Sequence, residues 1–194
     1  PFWSWNDRLD TEELVGQVHE MHRQGIGGFF MHARGGLRTA YLSPEWMDAV
    51  SASTRTGSQL GIEPWLYDEN GWPSGFAEGR IPVLGRAFQQ KYLRLERCGS
   101  ERIAELVGDR RLIATYDPET YDPVDETATP PKRVNGTSSH RSTLLAAYFD
   151  VNPYYVDTLN IEATRRFIEE THERYRRELP REVWREKLAA ILRE

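Results

Sequence analysis

The first 92 residues alternate between two apolar periods, and that alternation restricts the fold more than any other feature of the chain. "PFWSWND" (1–7) is a short aromatic strand that ends on the turn pair Asn6-Asp7. Asp10, with Glu13 three residues on, opens a capped helix, along which Leu14, Val18 and Met21 recur at helical spacing until Gly25. "IGGFFMHAR" (26–34) is apolar in its middle and polar at its end, as a buried strand is, and Gly35-Gly36 breaks it. Ser43-Pro44 starts a second helix through Trp46, Met47 and Val50 to Leu60, which Gly61 ends. "IEPWLYDE" (62–69) is the third strand, and a further helix is expected over about 79–92. Strands alternating with helices demand a parallel sheet. The expected fold is therefore α/β, with three βα units over residues 1–92.

Residues 93–150 break the cycle. "KYLRLERC", "RRLIATYD" and "TLLAAYFD" are three strand candidates. A polar stretch rich in Pro, Thr, Ser and Asp separates the last two, so the segment is read as a β-rich insertion with a long loop. Asn135-Gly136-Thr137 matches a glycosylation acceptor, a tripeptide common by chance. Over 151–194 the helical pattern returns. Asn160 caps a helix with Phe167, Ile168, Thr171 and Tyr175 on one face. After Pro180, residues Trp184, Leu188, Ile191 and Leu192 form a last amphipathic stripe.

Charge and cysteine usage narrow the classes. A net charge of −5 without any Lys/Arg-rich run argues against a nucleic-acid partner. No stretch approaches the roughly 20 apolar residues of a membrane span, no signal peptide is visible, and no membrane partner is expected. The single cysteine, Cys98, excludes an internal disulfide and, lying in the insertion, is not expected as a nucleophile. Six tryptophans, nine tyrosines and seven phenylalanines raise carbohydrate binding among the candidates, although aromatics also fill cores.

In parallel βα folds the ligand sits at the carboxyl ends of the strands. Here that rim carries Asn6 and Asp7; His32 and Arg34; and Asp68, Glu69 and Trp72. His32 and Arg34 lie two apart on a strand and face one side, as binders of hydroxyls or carboxylates. Arg34 alternatively pairs with Asp68 or Glu69. The two acids are adjacent and point to opposite faces, so they do not form a catalytic pair with each other. Each either contacts a ligand or caps a turn. Trp72 either stacks on a sugar or plugs the rim. His19 and His22 lack a third metal ligand and read as surface residues. No phosphate-cradling glycine loop follows a strand.

Three segments in order carry a family resemblance: "PFWSWND"; "EELVGQVHEMHRQGIGGFFMHARGGLRTAYLSPEWMDAV" with "WLYDENGWPSG"; and "YVDTLNIEATRRFIEETHERYRREL". Residues 1–92 and about 151–179 resemble the barrel of α-L-rhamnosidase-type glycoside hydrolases. The resemblance implies a TIM-type barrel, hydrolysis of a terminal sugar with inversion, and calcium in some members. On that basis Trp3, Trp5 and Trp72 are expected as an apolar wall, and His32 and Arg34 as binders of sugar hydroxyls. Asp68 and Glu69 are expected as hydroxyl or calcium ligands; Glu69 is a candidate catalytic residue on a separate reading, a different barrel enzyme that uses it as a general base. The parent enzyme is expected to be secreted or periplasmic. The family also implies a strand with an Asp-Glu-Pro type motif beyond the helix near Leu179. "PREVWREKLAAILRE" holds none. The expectation is therefore a partial barrel, about its first half, inactive alone for want of an acid pair. The alternative is a carbohydrate-binding or self-associating half-barrel whose open edges pair with another copy.

Overall fold

The computed structural model describes residues 1–71, 74–124 and 143–192. It divides into two compact units, residues 1–89 with 153–194, and residues 90–152.

The first unit is a mixed α/β layer. Strands β1 (Phe2–Trp5), β2 (Gly28–Ala33) and β3 (Glu63–Asn70) alternate with helices α1 (Thr11–Arg23) and α2 (Pro44–Leu60). β1 pairs with β2 and β2 with β3, both in parallel. The caps anticipated from sequence are in place. Asp10 accepts from the amides of Glu12 and Glu13, Ser43 accepts from the Trp46 amide, and Gly61 ends α2 in a left-handed conformation.

Residues 79–92 do not form the expected helix. Ala77, Glu78 and Gly79 take positive φ, Pro82–Leu84 makes one 3₁₀ turn, and strand β4 begins at Gln89. The apolar residues there, Ile81 and Phe88, pack instead with Ala77, Val156, Ala163 and Phe167 in a small separate core. Consecutive left-handed residues cannot propagate a right-handed helix.

The C-terminal segment departs from its expectation twice. The helix after Asn160 splits into α4 (Ile161–Glu170) and α5 (His172–Glu178) at Thr171, whose hydroxyl bonds back to the Phe167 carbonyl at 2.7 Å. Residues 184–192 are not an amphipathic helix. A π-type turn over Val183–Lys187 leads into strand β7 (Ala190–Leu192), which pairs in parallel with β3. A strand thus does follow the helix near Leu179, and the four-stranded order is β1-β2-β3-β7. No closed barrel is formed by these strands.

One sheet face is covered by helices. Trp3, Trp5, Phe29, Met31, Ala33 and Leu66 pack with Leu14 and Val18 of α1, Trp46 and Val50 of α2, and Tyr175 of α5. On the other face Phe2 stacks on Phe30 at 5.0 Å, Phe30 meets Trp65 at 5.3 Å, and His32 meets Tyr67 at 4.0 Å. This aromatic row runs across three strands.

The second unit holds most of β4 (Gln89–Cys98), α3 (Ser100–Gly108), β5 (Leu112–Tyr116) and most of β6 (Leu144–Val156), with sheet order β4-β6-β5. β5 and β6 pair antiparallel. α3 had no counterpart in the sequence reading, although Ile103 and Leu106 sit at helical spacing. They pack on Cys98, Leu144, Ala146 and Tyr148. The tripeptide Asn135-Gly136-Thr137 lies outside the described residues. Among the described residues no helix is long and apolar enough to cross a membrane.

The loops that follow β1 and β2 interlock at the rim. The Arg38 amide donates to the Asp7 carbonyl, and the Leu9 amide donates to the Thr39 hydroxyl. Gly36 sits at φ +102°, where an added Cβ would lie 2.7 Å from the Asn6 carbonyl oxygen. Replacing it with alanine is expected to cost about 2–3 kcal/mol, because neither the backbone angle nor the contact tolerates a side chain. Urea unfolding of Gly36→Ala beside the parent chain checks this, and an unchanged midpoint refutes it.

Candidate functional site at the carboxyl rim

β3 is irregular where it reaches the rim. Met31 pairs with Leu66, and the next matched pair is Ala33 with Asn70, so β3 spends four steps against two on β2. Such a bulge re-aims side chains. Within it, Asp68 and Glu69 are both completely buried, and they take different partners.

Glu69 is enclosed by backbone. Oε1 accepts from the amides of Asn70 (2.8 Å) and Glu78 (3.0 Å), and Oε2 accepts from Gly75 (3.1 Å) and Ala77 (2.7 Å). A carboxylate offers about four lone-pair sites, and four N–H groups fill them. The carboxylate thus shapes an arm of residues 70–71 and 74–78, in which Ala77 and Glu78 hold left-handed angles of 49° and 56°. Burial pushes its pKa up, the N–H bonds pull it back, and the neighbouring Asp68 charge adds a smaller upward push.

Asp68 faces the helix side. Its Oδ1 accepts from the Ser74 hydroxyl at 2.6 Å, and its Oδ2 lies 3.5 Å from Nε2 of His172 at the start of α5. Two buried tyrosines stand close by. Tyr175 accepts from the Trp46 indole at 2.9 Å. Burial pushes both Tyr41 and Tyr175 above the ordinary phenol value, and the charges of Asp68 and Glu69 add to it.

The other rim candidates divide. His32 is buried and its Nε2 lies 2.8 Å from the Gly71 carbonyl, so it donates to the same arm that Glu69 organises. Arg34 is exposed and makes no ion pair among the described residues. It therefore does not join Asp68 or Glu69. Trp3 and Trp5 turn toward the helices, with the Trp3 indole donating to Gln17 of α1. They also line a cavity of about 150 Å³ at the end of β1. Their burial makes them core residues on the sheet face opposite to the aromatic row, which corrects the expected apolar wall at a sugar. Trp72 lies outside the described residues. Sequence reasoning missed His172, Ser74 and Glu78. His172 heads α5 directly after the buried Thr171, and Ser74 and Glu78 lie in the turn region between the third strand and the helix expected from about residue 79.

The solvent-facing rim is polar. Asp7 pairs with Arg38 at 3.2 Å, and Glu78 accepts from the Asn70 amide side chain at 2.8 Å. No family model matches the chain, and no curated protein matches it. Among solved structures it is similar to the rhamnosidase from Novosphingobium sp. PP1Y. The identity is 22% and the TM-score 0.39, over 50% of this chain and 10% of that one. The chain thus spans about a tenth of that rhamnosidase's length.

The calcium expectation fails on donor chemistry. Both oxygens of Glu69 face N–H groups, which repel a cation, and Asp68 faces a hydroxyl and an imidazole. Among the described residues no three His, Cys, Asp or Glu side chains stand together as a metal site would need.

Proposed function

We propose that the chain is a glycoside-hydrolase-type barrel segment, α-L-rhamnosidase-like, whose carboxyl rim contacts the hydroxyls of a terminal sugar. The observation that carries this reading is the arrangement of the rim. Three successive parallel strands deliver Asp7, Arg34, Asn70 and Glu78 to one end, above a buried histidine and two buried acids. The quoted sequence motifs fall on those same strands and loops. Closing the sheet with further strands would bury the aromatic row of Phe2, Phe30 and Trp65, as barrel interiors are filled by side chains.

In this reading Arg34, Asn70 and Glu78 hold hydroxyls, and Asp68, Glu69 and His32 shape the arm beneath them. Hydrolysis with inversion needs two carboxyl groups roughly 6.5–9.5 Å apart with room for water. Glu69 has no lone pair left for a sugar or a water in this conformation. The chain is therefore expected to bind methyl α-L-rhamnoside weakly and not to hydrolyse an aryl α-L-rhamnoside. Amide chemical-shift titration checks the first, with shifts expected at Arg34, Asn70 and Glu78 and lost in Arg34→Ala. Turnover by the chain that disappears in Glu69→Gln would make Glu69 catalytic and remove the binding-only role. Absence of any shift at the rim removes the sugar reading.

A second reading, self-association, is favoured by Phe2, 52% accessible at the end of the aromatic row. Parallel sheets are normally covered on both faces. A strictly monomeric mass in light scattering at high concentration excludes it.

A further inference from the structure

The 74–78 arm is held in a backbone shape that its own residues resist. Ala77 and Glu78 are non-glycine residues at positive φ, a conformation that L side chains disfavour, so the shape persists only where something fastens it. Glu69 fastens the amides of Gly75, Ala77 and Glu78. A second fastener reaches the start of the arm from more distant sequence. Ser74 donates to Oδ1 of Asp68, and Oδ2 of Asp68 faces Nε2 of His172. His172 is itself set in place. It is the first residue of α5, its Nδ1 lies 3.1 Å from the Thr171 hydroxyl, and its ring meets Phe167 edge-on at 5.9 Å.

We propose that His172 is a positioning residue: through the buried Asp68 carboxylate it holds the 74–78 arm in the shape that presents Asn70 and Glu78 at the rim. The proposal rests on the sugar-binding reading only for what the rim contacts. The fastening itself is a property of the free chain. Asp68 is completely buried: Ser74 donates to its Oδ1, and Nε2 of His172 stands 3.5 Å from its Oδ2, an ion-pair contact when the imidazole is protonated. The break at Thr171 puts His172 at the head of a new helix. It thus couples a helix break near residue 171 to a loop near residue 74, two regions of the chain that sequence order keeps apart.

The test compares the parent chain with His172→Ala, His172→Gln and Ser74→Ala, by amide hydrogen exchange without ligand and by titration with methyl α-L-rhamnoside. His172→Ala is expected to speed exchange at Gly75, Ala77 and Glu78 at least tenfold, while Leu14 and Val18 in α1 stay as they were. His172→Gln is expected to restore slow exchange, because its carboxamide can donate to Asp68. A merely space-filling role would not distinguish glutamine from alanine in this way. Ser74→Ala cuts the same path at its other end without touching α5, and it is expected to reproduce the pattern if His172→Ala does not fold. Unchanged exchange at the arm in both alanine variants, or equal acceleration in alanine and glutamine variants, overturns the proposal. If the arm responds as expected but the parent chain binds no sugar, the fastening is upheld and the sugar reading falls.

Discussion

Trp46→Ala is expected to cost about 3–5 kcal/mol, the range for truncating a large buried aromatic. Trp46 is completely buried in α2. It meets the rings of Trp5 and Tyr41 edge-on, each at 5.0 Å. Its indole also donates to the hydroxyl of Tyr175 on α5, so one side chain ties α2 to β1 and to the C-terminal helix. Truncation opens a cavity among rings that cannot collapse into it, and it removes the donor that Tyr175 accepts from. A single domain has only about 5–15 kcal/mol to lose, so the variant should be largely unfolded well below the parent's midpoint. Three further variants separate packing from hydrogen bonding. Trp46→Phe keeps most of the ring volume and loses the N–H, for an expected cost of about 1–3 kcal/mol. Combining it with Tyr175→Phe should cost less than the sum of the two single changes, because the second deletion removes a group the first has already orphaned. Urea unfolding followed by circular dichroism reads the parent and all four variants. An additive pair would show that the Trp46–Tyr175 contact contributes nothing of its own.

The parallel βαβαβ order was legible because each element carried its own punctuation. Asp10, Ser43-Pro44, Gly61 and Asn160 are local signals, and the structure uses each of them as a cap. The three strand candidates of the second unit coincide with β4, β5 and β6, except that β6 runs on to Val156. What failed were assignments that depend on tertiary context. Residues 79–92 hold apolar residues at spacings a helix would accept, but the Glu69 carboxylate imposes left-handed angles on Ala77 and Glu78 just ahead of them. Ala190–Leu192 is too short for its period to be read, and it is a strand because β3 offers it an edge. At the rim, sequence position identified which residues gather there but not which way they face. Trp3 and Trp5 alternate with Phe2 and Ser4, and only the placement of α1 and α2 decides that the tryptophans are the inner set. The adjacent acids were read as diverging, and they do take separate partners. Those partners, Ser74, His172 and four backbone amides, come from the bulge and from the break at Thr171. Neither leaves a mark in the sequence pattern.

Glu69→Ala is expected to unfasten the arm and to destabilise the first unit by about 3 kcal/mol at acid pH, with a smaller cost at higher pH. Four N–H groups lose their acceptor, and those of Gly75 and Ala77 are buried. Each unsatisfied buried donor costs about 1–3 kcal/mol, and water entering beside Asn70 and Glu78 recovers part of the total. The pH dependence follows from linkage. Burial raises the folded-state pKa of Glu69 above its ordinary value of 4.5. A raised folded pKa means that the native state holds the proton more tightly than the unfolded chain does. The resulting stabilisation is fully present below pH 4.5 and is lost as pH rises through the folded-state value. The alanine variant has no such term, so the gap between variant and parent should be widest in acid and should narrow above the folded-state pKa. Unfolding curves of both proteins at several pH values from about 4 upward, in one buffer series, measure that gap. A gap that widens as pH rises would mean that the four amides hold the ionised carboxylate more strongly than burial opposes it. The direction assigned to Glu69 would then be reversed. A gap of zero throughout would mean that the arm keeps its left-handed shape without the carboxylate, and the fastening role would pass to Asp68 and His172 alone.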